Sequence, residues 1–355
     1  MEKRTKAIIG GIAAGTLVAG AAAGVGAVIA ARNFLEKVRR HRVRAMRGQT
    51  VLITGGSRGL GLALAEEFAH AGCRIAICAR DGQELARARQ HVERLGVEVC
   101  AVACDVTQPD EVAHLVSTVQ QQLGPIDVLV NNAGVISVGP LLSQTLGDFQ
   151  EAMDVMFWGT LHPTLALLPQ MISHGRGRIV NITSIGGRVA VPHLVPYCCA
   201  KFASVGFSEG LHAELKRFGI HVLTVVPGLM RTGSHLNAQF KGRHKKEFGW
   251  FAVSGTNPLA SISARRAARK IVQAICSDRT DLVISWQAKL MAEVHGIAPG
   301  LTQEAMAVVN RLLPDAAGQT DRRAGHESHS TVTRSPLTAL GKRAARRYNQ
   351  VPESA

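Results

Sequence analysis

The sequence predicts an α/β fold: one domain built on a doubly wound parallel sheet with helices on both faces, preceded by a transmembrane helix. Three observations predict it. A short apolar strand runs into a glycine-rich turn and then into a helix. Strand-like and helix-like segments then alternate along the chain. Near the amino end lies a long stretch without charge.

The elements follow in order. Thr50 to Thr54 reads as a buried strand leading into Gly55-Gly56-Ser57-Arg58-Gly59-Leu60-Gly61. Beyond it, Leu62, Leu64, Ala65, Phe68 and Ala69 recur at helical spacing. A strand, a glycine turn and a helix form the context in which such a turn binds a pyrophosphate. Glycine lets backbone approach the anion, and the helix end offers free N–H groups and a positive dipole end. Arg74 to Ala79, Val97 to Cys104 and Ile126 to Val130 read as strands. Gly82 to Leu95 and Pro109 to Leu123 read as the helices between them. One long helix is expected over Leu146 to Ser173, then a strand at Arg178 to Thr183. A helix from Pro196 to Phe218 and a strand from Ile220 to Val226 follow. Strands joined through helices make a parallel sheet covered on both faces. Ligands of such sheets bind beyond the carboxyl ends of the strands.

A second motif lies downstream. Tyr197 is one of two tyrosines, and Lys201 lies one helical turn beyond it, on the same face. Ser184 sits at the end of a strand thirteen residues before Tyr197. A phenol is a poor acid–base group at neutral pH, with an ordinary pKa of about 10. A neighbouring ammonium favours the phenolate. A serine hydroxyl can then hold a carbonyl oxygen while the tyrosine gives or takes a proton.

Thr54-Gly55-Gly56-Ser57-Arg58-Gly59-Leu60-Gly61, Asn131-Asn132-Ala133-Gly134, Ser184, Tyr197-x-x-x-Lys201 and Pro227-Gly228 with Thr232 together resemble the short-chain dehydrogenase/reductase family. The resemblance runs over residues 48–285. It implies a Rossmann-type domain and a nicotinamide cofactor. Gly55, Ser57, Arg58, Gly59, Leu60 and Gly61 would form the pyrophosphate turn, and Asp105 and Val106 would lie near the adenine. Asn131, Ala133 and Gly134 would line the cleft and support the fourth strand. Pro227, Gly228 and Thr232 would face the nicotinamide. Tyr197 would be the acid–base residue, Lys201 would hold the ribose and lower the tyrosine pKa, and Ser184 would polarise the carbonyl. A homo-oligomer is expected by the same analogy.

An acidic residue at the end of the second strand favours NAD, and an arginine there accommodates the 2′-phosphate of NADP. Here the strand ends Cys78-Ala79-Arg80-Asp81, and Arg58 adds a second cation. NADP(H) is therefore favoured over NAD(H), with Asp81 as the counter-argument. One position departs from the family. Its fourth catalytic residue is an asparagine, three before a glycine, that binds a water of the proton relay. Met156 stands in that slot, and a thioether is only a weak acceptor.

Residues 1–6 are short and basic, and 7–31 carry no charge and one polar side chain, Thr16. At about 1.5 Å per residue that stretch can span a bilayer. Three basic residues precede it, and seven lie in the linker 32–48. That bias predicts a single-pass anchor with the catalytic domain on the cytoplasmic side. A cleaved signal peptide ending at Val28-Ile29-Ala30 is the rival, but its apolar region would be long. Of the net charge of +15, residues 1–48 hold +8 and residues 314–355 hold +3. The remaining +4 or so on the core gives no sign of a nucleic-acid-binding face, and the basic ends suit anionic lipid. The seven cysteines show no metal-ligand spacing and fit a reduced compartment.

The domain is expected to cover 49–313, with a substrate lid at 233–257. The lid mixes Lys241, Arg243, Lys245 and Lys246 with Phe240, Phe248, Trp250 and Phe251. It reads either as a solvated loop with buried anchors or as an interfacial lid admitting apolar substrates. An amphipathic helix is expected over Leu301 to Leu313, and the basic tail 314–355 is expected to be disordered. The sequence thus points to a membrane-anchored, NADP(H)-dependent oxidoreductase of a lipophilic carbonyl or alcohol, of steroid, retinoid or fatty-acyl type. A soluble substrate on a tethered enzyme is the second reading. A nucleotide-binding regulator with little catalysis is the third.

Overall fold

The computed structural model describes residues 42–316 and 320–351. The expected membrane span 7–31 lies outside them, and among the described residues no helix is long and apolar enough to cross a membrane. The sheet strands are β1 (Thr50–Thr54), β2 (Arg74–Ala79), β3 (Val99–Ala103), β4 (Val128–Asn131), β6 (Gly177–Ile182), β7 (Ile220–Val226) and β11 (Asp281–Val283). Between and after them run α1 (Gly59–His70), α2 (Gly82–Glu93), α3 (Pro109–Leu123), α4 (Leu146–Met153), α5 (Gly159–Ser173), α6 (Val195–Leu215), α7 (His244–Thr256) and α8 (Ala264–Ile275). The sheet is all parallel, in the order β11-β7-β6-β4-β1-β2-β3. β1 and β4 are buried along their whole length. Near-continuous apolar strands are what helices on both faces require.

The chain winds outward from β1 to β3, then returns to the other side of β1 as β4. The carboxyl ends of β1 and β4 therefore flank the point where the strand order reverses, and a crevice opens there. Side chains clasp the two ends. Thr54 Oγ1 accepts from the amides of Asn132 at 3.0 Å and Ala133 at 3.1 Å. Asn132 Nδ2 donates to the carbonyls of Thr54 and Gly55, both at 3.0 Å.

The helix expected over Leu146 to Ser173 is broken. Thr145 and Asp148 form a capping box at its start. Asp154–Trp158 then forms a π turn between α4 and α5. Such a turn inserts a residue and frees backbone groups. Within that turn the Met156 carbonyl accepts from Thr160 Oγ1 at 2.8 Å and from Ser204 Oγ, on α6, at 3.0 Å.

Small elements complete the chain. β5 (Ser137–Val138), β9 (Gln239–Phe240) and β12 (Arg323–Ala324) make a three-stranded sheet, and β8 (Met230–Arg231) pairs with β10 (Ile262–Ser263). α9 (Trp286–Ile297) and α10 (Pro299–Asn310) pack against each other, and α10 begins and ends before the expected Leu301 to Leu313. In the lid, Phe240 and Phe248 are fully buried, with ring centroids 5.2 Å apart, and Arg243, Lys245 and Lys246 face out. Phe240 and Phe248 are thus buried anchors, Trp250 and Phe251 are half-buried, and the cations are solvated except Lys241, which is buried against Asp148.

The expectation of a disordered tail is corrected for residues 320–351. β12 pairs antiparallel with β9, and α11 (Thr331–Arg334) and α12 (Ala339–Arg347) follow. Low apolar content led the expectation. The tail is held instead by strand pairing, by Arg322 bonding Asp148 and Glu151, and by a few buried groups such as Ala345 and Tyr348. The Phe240 ring also contacts Phe251 at 5.8 Å, at the centre of this second core. Phe240→Ala should therefore cost about 3–5 kcal/mol in chemical denaturation. A loss below about 1 kcal/mol would mean that the lid core contributes little to global stability.

Candidate active site

The glycine turn needs its glycines for two different reasons. Gly55 has φ +61°, a left-handed conformation, and a Cβ there would stand 2.9 Å from Ala133 Cα. A Cβ on Gly61 would stand 2.1 Å from the Gly55 carbonyl oxygen. Only hydrogen fits, so α1 rests directly on the end of β1. No side chain caps the first turn of α1. A helix start without a side-chain cap beside a tight glycine turn suits an anion at the amides beyond Gly59, whose own N–H is taken by Tyr348 O, so these residues fit the pyrophosphate of a dinucleotide.

At the end of β2, Arg80 is exposed, with no ion-pair partner among the described residues. Asp81 is committed elsewhere: its side chain accepts from Glu84 N at 2.9 Å and caps α2. Arg58 is engaged as well, with Nη1 2.9 Å from Glu84 Oε2. The other carboxylate oxygen of Glu84 accepts from Ser57 Oγ. Glu84, buried at the cleft wall, is a site residue that sequence reasoning missed. A Glu three residues after Asp81 was a visible helix-start signal, but its reach back to the turn was not.

Tyr197 lies in the first turn of α6 and Lys201 one turn on. The loop after Ser184 packs on the ring: a Cβ on Gly186 would be 3.2 Å from Tyr197 Cε1. That loop is tied to the Pro-Gly turn by Ile185 N donating to Pro227 O at 2.8 Å. Lys201 is buried, and its Nζ donates to Ile182 O at 2.8 Å, lying 5.9 Å from the Tyr197 ring centre. Burial pushes the Tyr197 phenol up to about 12, against a hydrogen bond with Ser184 that lowers it. Burial also brings the Lys201 ammonium down to about 8. Desolvation therefore outweighs whatever lowering Lys201 brings to the tyrosine, and the net shift is upward. The ammonium sits over the ring and bonds a carbonyl, and desolvation dominates both groups. Met156 is buried against Ala152, Ala200 and the Tyr197 ring, so an apolar contact stands where the family carries an amide.

One cleft of about 480 Å³ joins these parts. Gly55, Ser57, Arg58, Arg80, Asp105, Val106, Ala133, Gly134 and Tyr197 line it. Gly59, Leu60, Gly61, Ser184, Lys201, Pro227, Gly228 and Thr232 are not among its lining residues. Asn131 is also absent from that wall. It is buried, with Nδ2 bonded to Thr164 Oγ1 at 3.0 Å and Asn181 Oδ1 at 2.9 Å, so it braces β4 against its neighbours. Its neighbour Asn132 lines the cleft instead. A further missed residue is His193, at φ +64° just before α6. Its Nδ1 lies 3.0 Å from both Glu247 oxygens, which ties the lid helix α7 to the approach to Tyr197.

The family model of short chain dehydrogenases matches residues 49–241. The chain belongs to the short-chain dehydrogenase family. Among curated members of that family, it is 30% identical over 295 residues to dehydrogenase/reductase SDR family member 7B of Danio rerio, covering 80% of this chain and 89% of that one. It is 30% identical over 260 residues to a ketoacyl reductase of Nostoc, covering 71% and 86%. Among solved short-chain dehydrogenase structures, a variant of actinorhodin polyketide ketoreductase with NADPH matches at TM-score 0.60 and 29% identity, covering 66% of this chain and 95% of that one. As a short-chain dehydrogenase the protein is an NAD(P)-dependent oxidoreductase. Gly61→Ala should abolish measurable dinucleotide binding in a fluorescence titration, because backbone stands in the way of the methyl. Binding within threefold of the unaltered protein would show that α1 can move off β1.

Proposed function

We propose that the protein interconverts a carbonyl and an alcohol with NADP(H), using Tyr197, Ser184 and Lys201. The carrying observation is that Tyr197, hydrogen-bonded with Ser184, and the glycine turn border the same cleft. When bound, the nicotinamide would give or accept the hydride. In reduction, the Tyr197 hydroxyl delivers its proton to the carbonyl oxygen, and Ser184 Oγ donates a hydrogen bond to that oxygen. The Lys201 ammonium stabilises the phenolate left behind. Burial, which pushes the pKa up to about 12, keeps the phenol in the protonated form that reduction consumes but makes it a weaker acid, so Ser184 and the Lys201 ammonium must assist the transfer.

NADP(H) is supported by Arg80 at the end of β2, which has no ion-pair partner among the described residues, and by the capping role of Asp81, which commits one oxygen of its carboxylate to Glu84 N. Glu84 opposes it by holding Arg58. The similar ketoreductase whose structure holds NADPH favours the same reading. A lipophilic substrate, a tether at residues 7–31, a cytoplasmic catalytic domain and self-association belong to this proposal. The composition of the amino end supports the tether. Met156 sustains a second reading, a nucleotide-binding regulator with weak catalysis, because a thioether cannot hold the relay water well.

Tyr197→Phe separates the two readings. On the catalytic reading it should lower kcat at least 100-fold on a panel of lipophilic ketones and aldehydes while dinucleotide binding persists. Activity within fivefold of the unaltered protein would rule out the assigned acid. For carbonyl reduction, kcat/KM should hold near neutrality and fall as pH rises through about 8, because Lys201 then loses its proton while Tyr197 keeps its own. A profile flat from pH 7 to 9.5 would contradict the role given to Lys201. Glu84→Gln should free Arg58 and lower KM for NADPH about fivefold or more relative to NADH, since one charge-assisted pair is released. An unchanged ratio would remove Arg58 from phosphate recognition.

A further inference from the structure

Residues 348–350 lie on the glycine turn. Gly59 N donates to Tyr348 O at 2.9 Å. Asn349 Nδ2 donates to Ser57 O at 3.0 Å and to Glu84 O at 2.9 Å, and its Oδ1 accepts from Arg87 Nε at 3.0 Å. Gln350 follows, 7% exposed, with its side chain in the cleft wall. Asn237 Nδ2 donates to the Gln350 carbonyl at 3.0 Å and to its Oε1 at 2.6 Å. That pairing fixes the amide orientation. Oε1 points to the lid, so Nε2 is turned to Gly59 and would meet a Cβ there at 2.7 Å. Nε2 donates to no acceptor among the described residues.

An amide N–H of a side chain that is 7% exposed overall, oriented by its own carbonyl and with no protein acceptor among the described residues, stands at the mouth of an anion-binding turn. Such a donor is open to a ligand that reaches the cleft wall. The pyrophosphate of a dinucleotide is the acceptor that the proposed function would bring to this place. Resting on that reading, we infer that Gln350 is a cofactor-contacting residue, and that residues 320–351 are a strap that carries it onto the pyrophosphate turn.

The strap is built for this placement. Its far end is fixed by β12 on β9 and by Arg322 on Asp148 and Glu151. Its middle packs on the lid turn: a Cβ on Gly233 would stand 2.4 Å from Ala345 Cα. Its near end is held by Asn349 on the turn itself. The Tyr348 carbonyl takes one amide of the α1 start, so the anion is left to the rest of that turn and to Gln350.

The test uses the full chain and direct titration with NADPH and NADH, alongside thermal unfolding without nucleotide. Gln350→Ala should raise Kd about tenfold, the loss of one hydrogen bond to a charged group. Gln350→Glu keeps an acceptor for Asn237 but turns a carboxylate oxygen toward the phosphates, so it should bind worse than Gln350→Ala. A merely structural role predicts the reverse order, because glutamate preserves the bond to Asn237. Asn349→Ala, which releases the anchor, should raise Kd in the same direction. Unchanged Kd in Gln350→Ala, or tighter binding in either Gln350 variant, would overturn the inference; the second result would make the strap a competitor of the cofactor. If the unaltered chain binds neither nucleotide, the function proposed above fails and this inference fails with it.

Discussion

How closely α1 can approach the end of β1 decides most of what the site can be. The contact is backbone on backbone, with Gly61 against the Gly55 carbonyl, and it leaves no room for a methyl. Thr54 and Asn132 lock β4 to the same corner, so the turn and the Asn132-Ala133-Gly134 segment move as one body. Because that corner is also where the strand order reverses, a rigid turn and an open crevice coincide. Interactions that raise rigidity here also raise preorganisation for an anion, at no cost when the ligand arrives.

Burial then sets the chemistry. Tyr197 and Lys201 are neighbours on one helix face, and proximity alone would make the ammonium promote the phenolate. Desolvation acts on both and in the opposite sense, keeping the phenol protonated and weakening the ammonium. Met156 belongs to this balance, since an apolar side chain beside the ring excludes the water that an amide would hold. Met156 lies within the π turn at Asp154–Trp158, and Ser204, on α6, bonds its carbonyl.

Much of this was legible in the sequence. β1, the glycine turn and α1, together with α3 and β7, carry strong local patterns, and the structure forms them where the pattern lies. Tyr197 and Lys201 were legible because helix geometry relates them directly. What was not legible depends on contacts between distant residues. Asp81 looked available until Glu84 N used it, and Arg58 looked free until Glu84 paired with it. Asn131 and Asn132 are adjacent and alike, and strand alternation sends one inward and the other to the cleft. The tail failed for a related reason. Its order rests on strand pairing and single polar anchors, which composition does not record.

Asp148 explains how the lid, the tail and the cleft come to share one fate. Burial would push its carboxyl up, yet hydrogen bonds from Lys241, Thr145 and Arg322 hold it down at about 2. It is thus a fixed anion at any ordinary pH, and three elements depend on it. Lys241 belongs to the lid, Arg322 to the tail and Thr145 to the start of α4, while Asp148 itself borders the cleft. A buried charge left without partners is far costlier than a broken surface pair. The lid cannot leave Lys241 behind, nor the tail Arg322, without exposing that cost to the other. Lys241 and Arg322 therefore support each other through one carboxylate, and loosening either segment weakens the hold on the other.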